Sequence, residues 1–240
     1  MKYGYQDALA LSGITEAHPG GFALTKKVMG MEKIRPGAIV LDAGCGMGLT
    51  SAYLAKMFKC KVFAVDAHPL MIEQATKKMK KERLSVKVVK GSIENLPFPD
   101  DSFDYIVAES STIFTNIEKT LNEYYRVLKP SGVLIDSELC AETALTNYEE
   151  ERIKDFYKLR KVPTEKEWIS SLKKSRFTDI HIITSNTILN ELKNAPLKFD
   201  DENHFESLDP AIEEILFEHS RLMMECAEQL GYRVFRGVKK

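Results

Sequence analysis

The chain has 240 residues, 44% of them hydrophobic and 29% charged. That is ordinary globular composition, with enough length to bury a core without disulfides or metal. Its 34 Lys+Arg against 35 Asp+Glu give a formal charge of −1, so it lacks the overall cationic surplus that nonspecific nucleic-acid binding needs.

The first residues, MKYGYQDALALSGITEAHPGG, hold a short, interrupted apolar stretch with acids in it, which predicts no signal peptide. No window approaches the ~20 apolar residues of a membrane span. The cysteines, Cys45, Cys60, Cys140 and Cys226, form no CxxC pair and have no histidine-rich partner. They predict neither a disulfide framework nor a zinc site, and fit a reducing cytosol. The expectation is a cytoplasmic protein of one domain, with a helical cap over residues 1–35, a core over 36–138 and a second half over 139–240.

Residues 38–42 (AIVLD) read as a buried strand running into a glycine turn, and 49–58 as the helix that leaves it. Strands follow at 61–66, 85–90, 104–108 and 132–137. Helices are predicted at 69–82, opened by Pro69, and at 117–128, stopped by Pro130. The run Lys77–Arg83 (KKMKKER) is the candidate for a local basic patch, with a solvated helix face as the plainer reading. Farther on, helices are expected at 145–160 and from Thr164 to 174, where Thr164 and Glu167 have capping-box spacing. A strand is expected at 179–184 and a polar stretch at 192–209. A long helix runs from Asp209-Pro210 to Leu230 with Gly231 as its stop, and a last strand covers 232–238.

Strand–helix alternation of this kind builds a mostly parallel sheet of seven strands with helices on both faces, because right-handed crossovers pass over the sheet. The α/β fold is Rossmann-like, with a helical insertion at about 187–230 before the last strand. Ligands in such sheets bind beyond the carboxyl ends of the strands, where strand order reverses. Residues 42–48, 66–67, 91–94 and 109–112 would meet there.

The turn Asp42-Ala43-Gly44-Cys45-Gly46-Met47-Gly48 is not the G-x-G-x-x-G of dinucleotide sites. Its last glycine comes one position early and is followed by Leu49, and Asp42 would repel a pyrophosphate but suit an ammonium group. Asp66, ending the second strand, can accept both hydroxyl protons of a ribose. Ser92 can hydrogen-bond an adenine edge while Ile93 packs on the ring. Together they describe a site for a nucleoside with a cationic amino-acid tail and no phosphate.

The segments VLDAGCGMG (40–48), VFAVDAHP (62–69), GSIENLPFPDDSFD (91–104) and EYYRVLKPSGVL (123–134) resemble the class I S-adenosylmethionine-dependent methyltransferases, particularly the branch of ubiquinone and menaquinone biosynthesis enzymes. The resemblance spans roughly residues 36–138. It implies that Asp42, Gly44 and Gly46 line the methionine end of S-adenosylmethionine and that Asp66 holds the ribose. It sets Ala67, Met71, Ser92 and Ile93 by the adenine, with Glu94 nearby. Many relatives carry an acid where this chain has Ser92. His18-Pro19-Gly20-Gly21 resembles a segment that covers the cofactor's carboxylate in small-molecule methyltransferases, so His18, Gly20 and Gly21 join the expected cofactor site.

Methyl transfer from a sulfonium needs alignment more than a fixed catalytic residue. Glu109, at the mouth of the site, is the candidate base, substrate-orienting group or ammonium contact; its bland alternative is a solvated strand-end carboxylate. Ser110, Tyr3 and Tyr5 are the candidate substrate contacts, the tyrosines as a lid or as simple packing. Phe217, Met223 and Met224 line an apolar pocket or fill the core. No metal site is expected. The predicted activity is methyl transfer to a small or medium organic molecule, with homo-oligomerisation left open and no nucleic-acid or membrane partner. The alternatives are a methyltransferase acting on RNA or protein, or a non-catalytic cofactor-binding protein.

Overall fold

The computed structural model describes residues 2–15, 17–194 and 208–240. Its centre is a seven-stranded sheet. The strands are β1 (Ile39–Ala43), β2 (Lys61–Asp66), β3 (Lys87–Lys90), β4 (Phe103–Glu109), β5 (Leu128–Ala141), β6 (Thr178–Thr187) and β7 (Leu230–Val238). Their order is β3-β2-β1-β4-β5-β7-β6. Strands β1 to β5 pair in parallel, while β7 runs antiparallel between β5 and β6.

The helices are α1 (Tyr5–Ser12), α2 (Gly21–Met31), α3 (Leu49–Met57), α4 (Pro69–Lys81), α5 (Ile117–Val127), α6 (Asn147–Tyr157), α7 (Glu165–Lys174), α8 (Ile188–Asn194) and α9 (Pro210–Glu225). Several starts are written in local chemistry. The side chains of Thr146 and Thr164 accept from the N–H groups of Glu149 and Glu167, whose carboxylates return the bond. Asp209 accepts from the N–H of Ala211 one residue before Pro210.

Alternation along the strands sends side chains into two cores. Leu41, Ile106, Leu134 and Phe235 point to one face and pack with Leu121 and Tyr124 of α5, Trp168 and Leu172 of α7, and Ile212 and Ile215 of α9. Val40, Val107, Val133 and Val234 point to the other, under Leu24 and Val28 of α2 and Leu54 of α3. Burial on both faces is why these strands read as nearly continuous apolar runs.

Three expectations shift. Strand β5 begins at Leu128, four residues before the expected 132. Phe103 pairs with Leu128 and Tyr105 with Val133, so the added residues form a bulge, with Pro130 offering no N–H and Ser131 at φ 64°. Helix α9 ends at Glu225, and Gly231 is no helix stop. It lies inside β7, paired with Cys140 and Thr187. Phe217 and Met224 neither line a pocket nor fill the core, being 70% and 48% exposed on the outer side of α9. Most of the polar stretch at 192–209, residues 195–207, lies outside the described residues.

Gly231 has a steric reason to be glycine. A Cβ there would run into the Glu142 carboxylate and the Asn186 carbonyl. Gly231→Ala is therefore expected to cost roughly 1–3 kcal/mol, the usual range for overpacking, and to lower the Tm by several degrees. Gly30→Ala is the contrast, because a Cβ at Gly30, inside α2, meets nothing within 4 Å. Alanine's better helix propensity should leave that variant at or above the parent Tm. Paired thermal melts check both.

Candidate functional site

The parallel strands end on one edge of the sheet, and the order reverses between β1 and β4, whose outward connections run to opposite sides. A cavity of about 450 Å³ opens there. The glycine turn after β1 forms its floor. Gly44, Gly46 and Gly48 all have positive φ, at 79°, 51° and 80°. At Gly44 the side chain of Ser111 occupies the space a Cβ would need, and Ser111 Oγ donates to the Ala43 carbonyl at 2.7 Å. A Cβ on Gly46 would meet only open space. Packing thus demands the first glycine, and the second leaves the main chain open to a ligand.

Three carboxylates stand around this turn. Asp42 is 3% exposed, and its Oδ2 accepts from Ser51 Oγ at 2.5 Å. Burial drives its pKa up to about 7 against that hydrogen bond, with further upward pushes from the charges of Glu109 and Asp66. Asp66 accepts from the N–H of Gly46 at 2.9 Å and of His68 at 2.8 Å. Each of its oxygens keeps a lone pair for another donor. Glu109 accepts from Thr25 Oγ1 of α2 and Thr50 Oγ1 of α3, both at 2.6 Å. It is no free strand-end carboxylate, since it ties the N-terminal segment to the glycine-turn helix. His18 Nε2 sits 3.4 Å from Thr25 Oγ1 and 3.9 Å from Glu109.

Asp42, Gly44, Gly46, Asp66, Ala67, Met71, Ser92, Ile93, Glu94, His18, Glu109, Ser110 and Tyr5 all line the one cavity. Tyr3, Gly20 and Gly21 do not. Tyr3 packs half-buried against the core, and the two glycines, at φ 79° and 53°, form the tight turn that starts α2. Ser92 Oγ accepts from the Glu94 N–H at 3.1 Å, and Glu94 accepts from the N–H of Asn116 at 2.7 Å, locking this loop to the start of α5. Ser110 adopts φ 48°, and its Oγ is buried without a hydrogen-bond partner among the described residues.

Several residues that shape the site carry no signal in the sequence. Ser51, Thr25 and Thr50 look like ordinary helix residues until the fold brings them to carboxylates. Glu138, fully buried on β5, accepts from the N–H groups of Ser111, Thr112 and Ile113 at 2.8–3.3 Å and so fixes the 3-10 turn (Thr112–Phe114) behind Ser110. Burial raises its pKa to about 7. Burial and the neighbouring Glu138 push the pKa of Asp136 upward, against the hydrogen bond from Thr112. On the far side of the cavity, Tyr157 Oη and His219 Nδ1 are 2.7 Å apart.

A sequence profile described as a methyltransferase domain matches residues 40–132. An uncharacterized methyltransferase of Bacillus subtilis, YodH, is 32% identical over 238 residues, covering 98% of this chain and 99% of YodH. The sterol 24-C-methyltransferase erg6 of Aspergillus fumigatus is 38% identical over 103 residues, 42% of this chain and 27% of erg6. Among solved structures, Haemonchus contortus phosphoethanolamine N-methyltransferase 2, in complex with phosphomonomethylethanolamine and S-adenosylhomocysteine, superposes with a TM-score of 0.81 at 20% identity. It covers all of this chain, which spans 58% of that one.

Asp42 should leave a pH signature on stability in the free protein. Its folded pKa of about 7 lies well above that of an ordinary aspartate. Folding therefore favours the protonated form, and that contribution fades as pH rises through about 7. Asp42→Asn removes the charge and keeps an oxygen to accept from Ser51. The variant's Tm is expected to exceed the parent's by a few degrees at pH 8, with the gap closing towards pH 4. Calorimetric scans across that range check it.

Proposed function

Because the chain belongs to the S-adenosylmethionine-dependent methyltransferases, we propose that it transfers a methyl group from S-adenosylmethionine to a small or medium organic molecule by in-line displacement. The observation that carries this reading is the charge of the cavity. Asp42, Asp66, Glu94 and Glu109 line it, and among the described residues no lysine or arginine does. Such a wall repels phosphates and calls for a cation.

S-adenosylmethionine fits that demand, since when bound it supplies an electrophilic methyl on a cationic sulfur beside a cationic amino-acid tail. Asp42, forced towards neutrality by burial, regains its charge against an ammonium. Gly44 and Gly46 let the tail approach the main chain. Asp66, already fixed by two N–H donors, offers its remaining lone pairs to the ribose hydroxyls. Ala67, Met71, Ser92, Ile93 and Glu94 form the adenine end, and His18 closes over the tail. Glu109, with both oxygens engaged by threonine hydroxyls, acts as fixed negative charge facing the donor and holds the wall together. On the donor side the chain contributes alignment and exclusion of water. Tyr5 and Ser110 face the acceptor.

Net charge near zero supports a small molecule over a nucleic acid. The motif at 91–104 and the run EYYRVLKPSGVL support kinship with the ubiquinone and menaquinone branch.

Saturating S-adenosylhomocysteine should raise the Tm by about 5–10 °C, the effect of a ligand at roughly 100 times its Kd on a chain this size. Asp66→Ala should remove most of that shift. Affinity should rise between pH 6 and pH 8, because the ammonium binds the ionised form of Asp42. A melting curve that saturating ligand leaves unchanged would refute the assignment.

A further inference from the structure

The carboxylates occupy only part of the cavity. The rest is walled by Tyr5 of α1, Phe114 of the 3-10 turn, Leu139 of β5, Tyr157 of α6, and His219 and Met223 of α9. The rings are arranged and not merely adjacent. Tyr5 stacks on His219 with centroids 4.9 Å apart, and meets Tyr157 edge-on at 4.8 Å. Tyr157 Oη lies at hydrogen-bond distance from His219 Nδ1, 2.7 Å. The other ring nitrogen, Nε2, makes no hydrogen bond among the described residues. His219 lines the cavity, so a ring nitrogen aligned through the contact of its partner nitrogen with Tyr157 is available to a ligand group there.

We propose that His219 is the catalytic base for the acceptor, positioned by Tyr157, and that the acceptor is an uncharged, apolar-bodied molecule whose nucleophilic atom carries a proton. The idea rests on the methyltransferase reading and deepens it. The atoms balance as follows. A lone pair of the acceptor's O–H or N–H atom forms the bond to the methyl carbon. The electrons of the sulfur–methyl bond stay on sulfur, which becomes a neutral thioether. The proton moves to His219 Nε2 and from there to solvent. For this the ring carries its own hydrogen on Nδ1, which donates to Tyr157 Oη and leaves the Nε2 lone pair free.

Burial holds His219 neutral, its pKa lowered to about 4. An imidazole so depressed is a poor base towards a resting hydroxyl. It suffices here because the acceptor proton becomes strongly acidic as the new bond to carbon forms. The same burial keeps the resting ring neutral, so it does not repel the cationic donor before transfer; when the proton arrives the donor has already become a neutral thioether.

The charge of the wall sets the second half of the proposal. An anionic acceptor would enter a chamber that already holds four carboxylates and, among the described residues, no lysine or arginine to receive it. A phosphate such as that of the ligand in the Haemonchus contortus enzyme would meet, among the described residues, no lysine or arginine lining the cavity.

The test uses the full chain loaded with S-adenosylhomocysteine and three fluorescent probes: 2-naphthol, 2-methoxynaphthalene, which lacks the proton, and 2-naphthyl phosphate, which is anionic. 2-Naphthol should bind at least ten-fold tighter than the phosphate and several-fold tighter than the methoxy compound. His219→Phe should bring 2-naphthol down to the methoxy compound's affinity while S-adenosylhomocysteine binds as before. Tyr157→Phe should fall between, because the ring remains but loses its alignment. Should His219→Phe fail to fold, the nitrogen-15 shift of His219 Nε2 in the parent reports the same contact, and should move with 2-naphthol and not with the methoxy compound. Equal or tighter binding of the phosphate, absent binding of 2-naphthol, or an affinity and a shift indifferent to His219 would each overturn the proposal while leaving the methyltransferase reading intact. Failure of the parent to bind S-adenosylhomocysteine would take down both.

Discussion

A carboxylate sealed beneath a glycine turn governs the arrangement around it. Asp42 sits at the end of a strand buried on both faces, with one hydroxyl for company and two more carboxylates close enough to oppose its ionisation. Left alone, it is a buried acid better off protonated. A cation in the adjoining cavity would reverse that preference, which is the physical basis of the proposed donor site. The free energy a cation would recover there is unavailable to a neutral or anionic nucleoside.

The rest of the fold holds that carboxylate and its neighbours where they are. The parallel half of the sheet ends β1, β2 and β4 side by side, and hydroxyl groups then stitch the connecting segments together. Ser111 fastens its loop to the end of β1, while Thr25 and Thr50 bind two helices to one glutamate. Beneath them Glu138 gathers three main-chain N–H groups and fixes the turn at the cavity wall. Hydroxyl and main-chain hydrogen bonds brace a site built from loops in this way. Short side chains lose little freedom on being ordered, which suits serine and threonine to the task.

The elements of the parallel half were legible because their determinants are local. Two-sided burial makes β1 and β4 apolar runs, and Pro69 announces α4; farther along, Thr164 with Glu167 and Asp209 with Pro210 announce helices through chemistry within four residues. The acids and glycines that line the cavity were legible for a related reason. Asp42, Gly44, Gly46 and Asp66 must lie at strand ends in any sheet of this topology. What escaped the sequence depends on contacts between distant segments. Gly231 reads as a helix stop from its neighbours, and only the carboxylate of Glu142 and the carbonyl of Asn186 reveal it as a strand residue. Gly20 and Gly21 carry a sequence cue that serves the helix start behind the wall. The pairing of Tyr157 with His219, 62 residues apart, has no local trace.

The antiparallel placement of β7 between β5 and β6 bears on the order in which the protein can be made. Strand β6 has its sheet partner in β7, which follows it in the chain by more than 40 residues. During synthesis β1 to β5 can assemble on the ribosome while β6 waits with no sheet to join. Its unmatched backbone is a temptation to neighbouring nascent chains until its antiparallel partner β7 emerges. The threonines, histidine and asparagine along β6, and its half-buried, polar-faced pattern, are what a strand needs in order to endure that interval without aggregating.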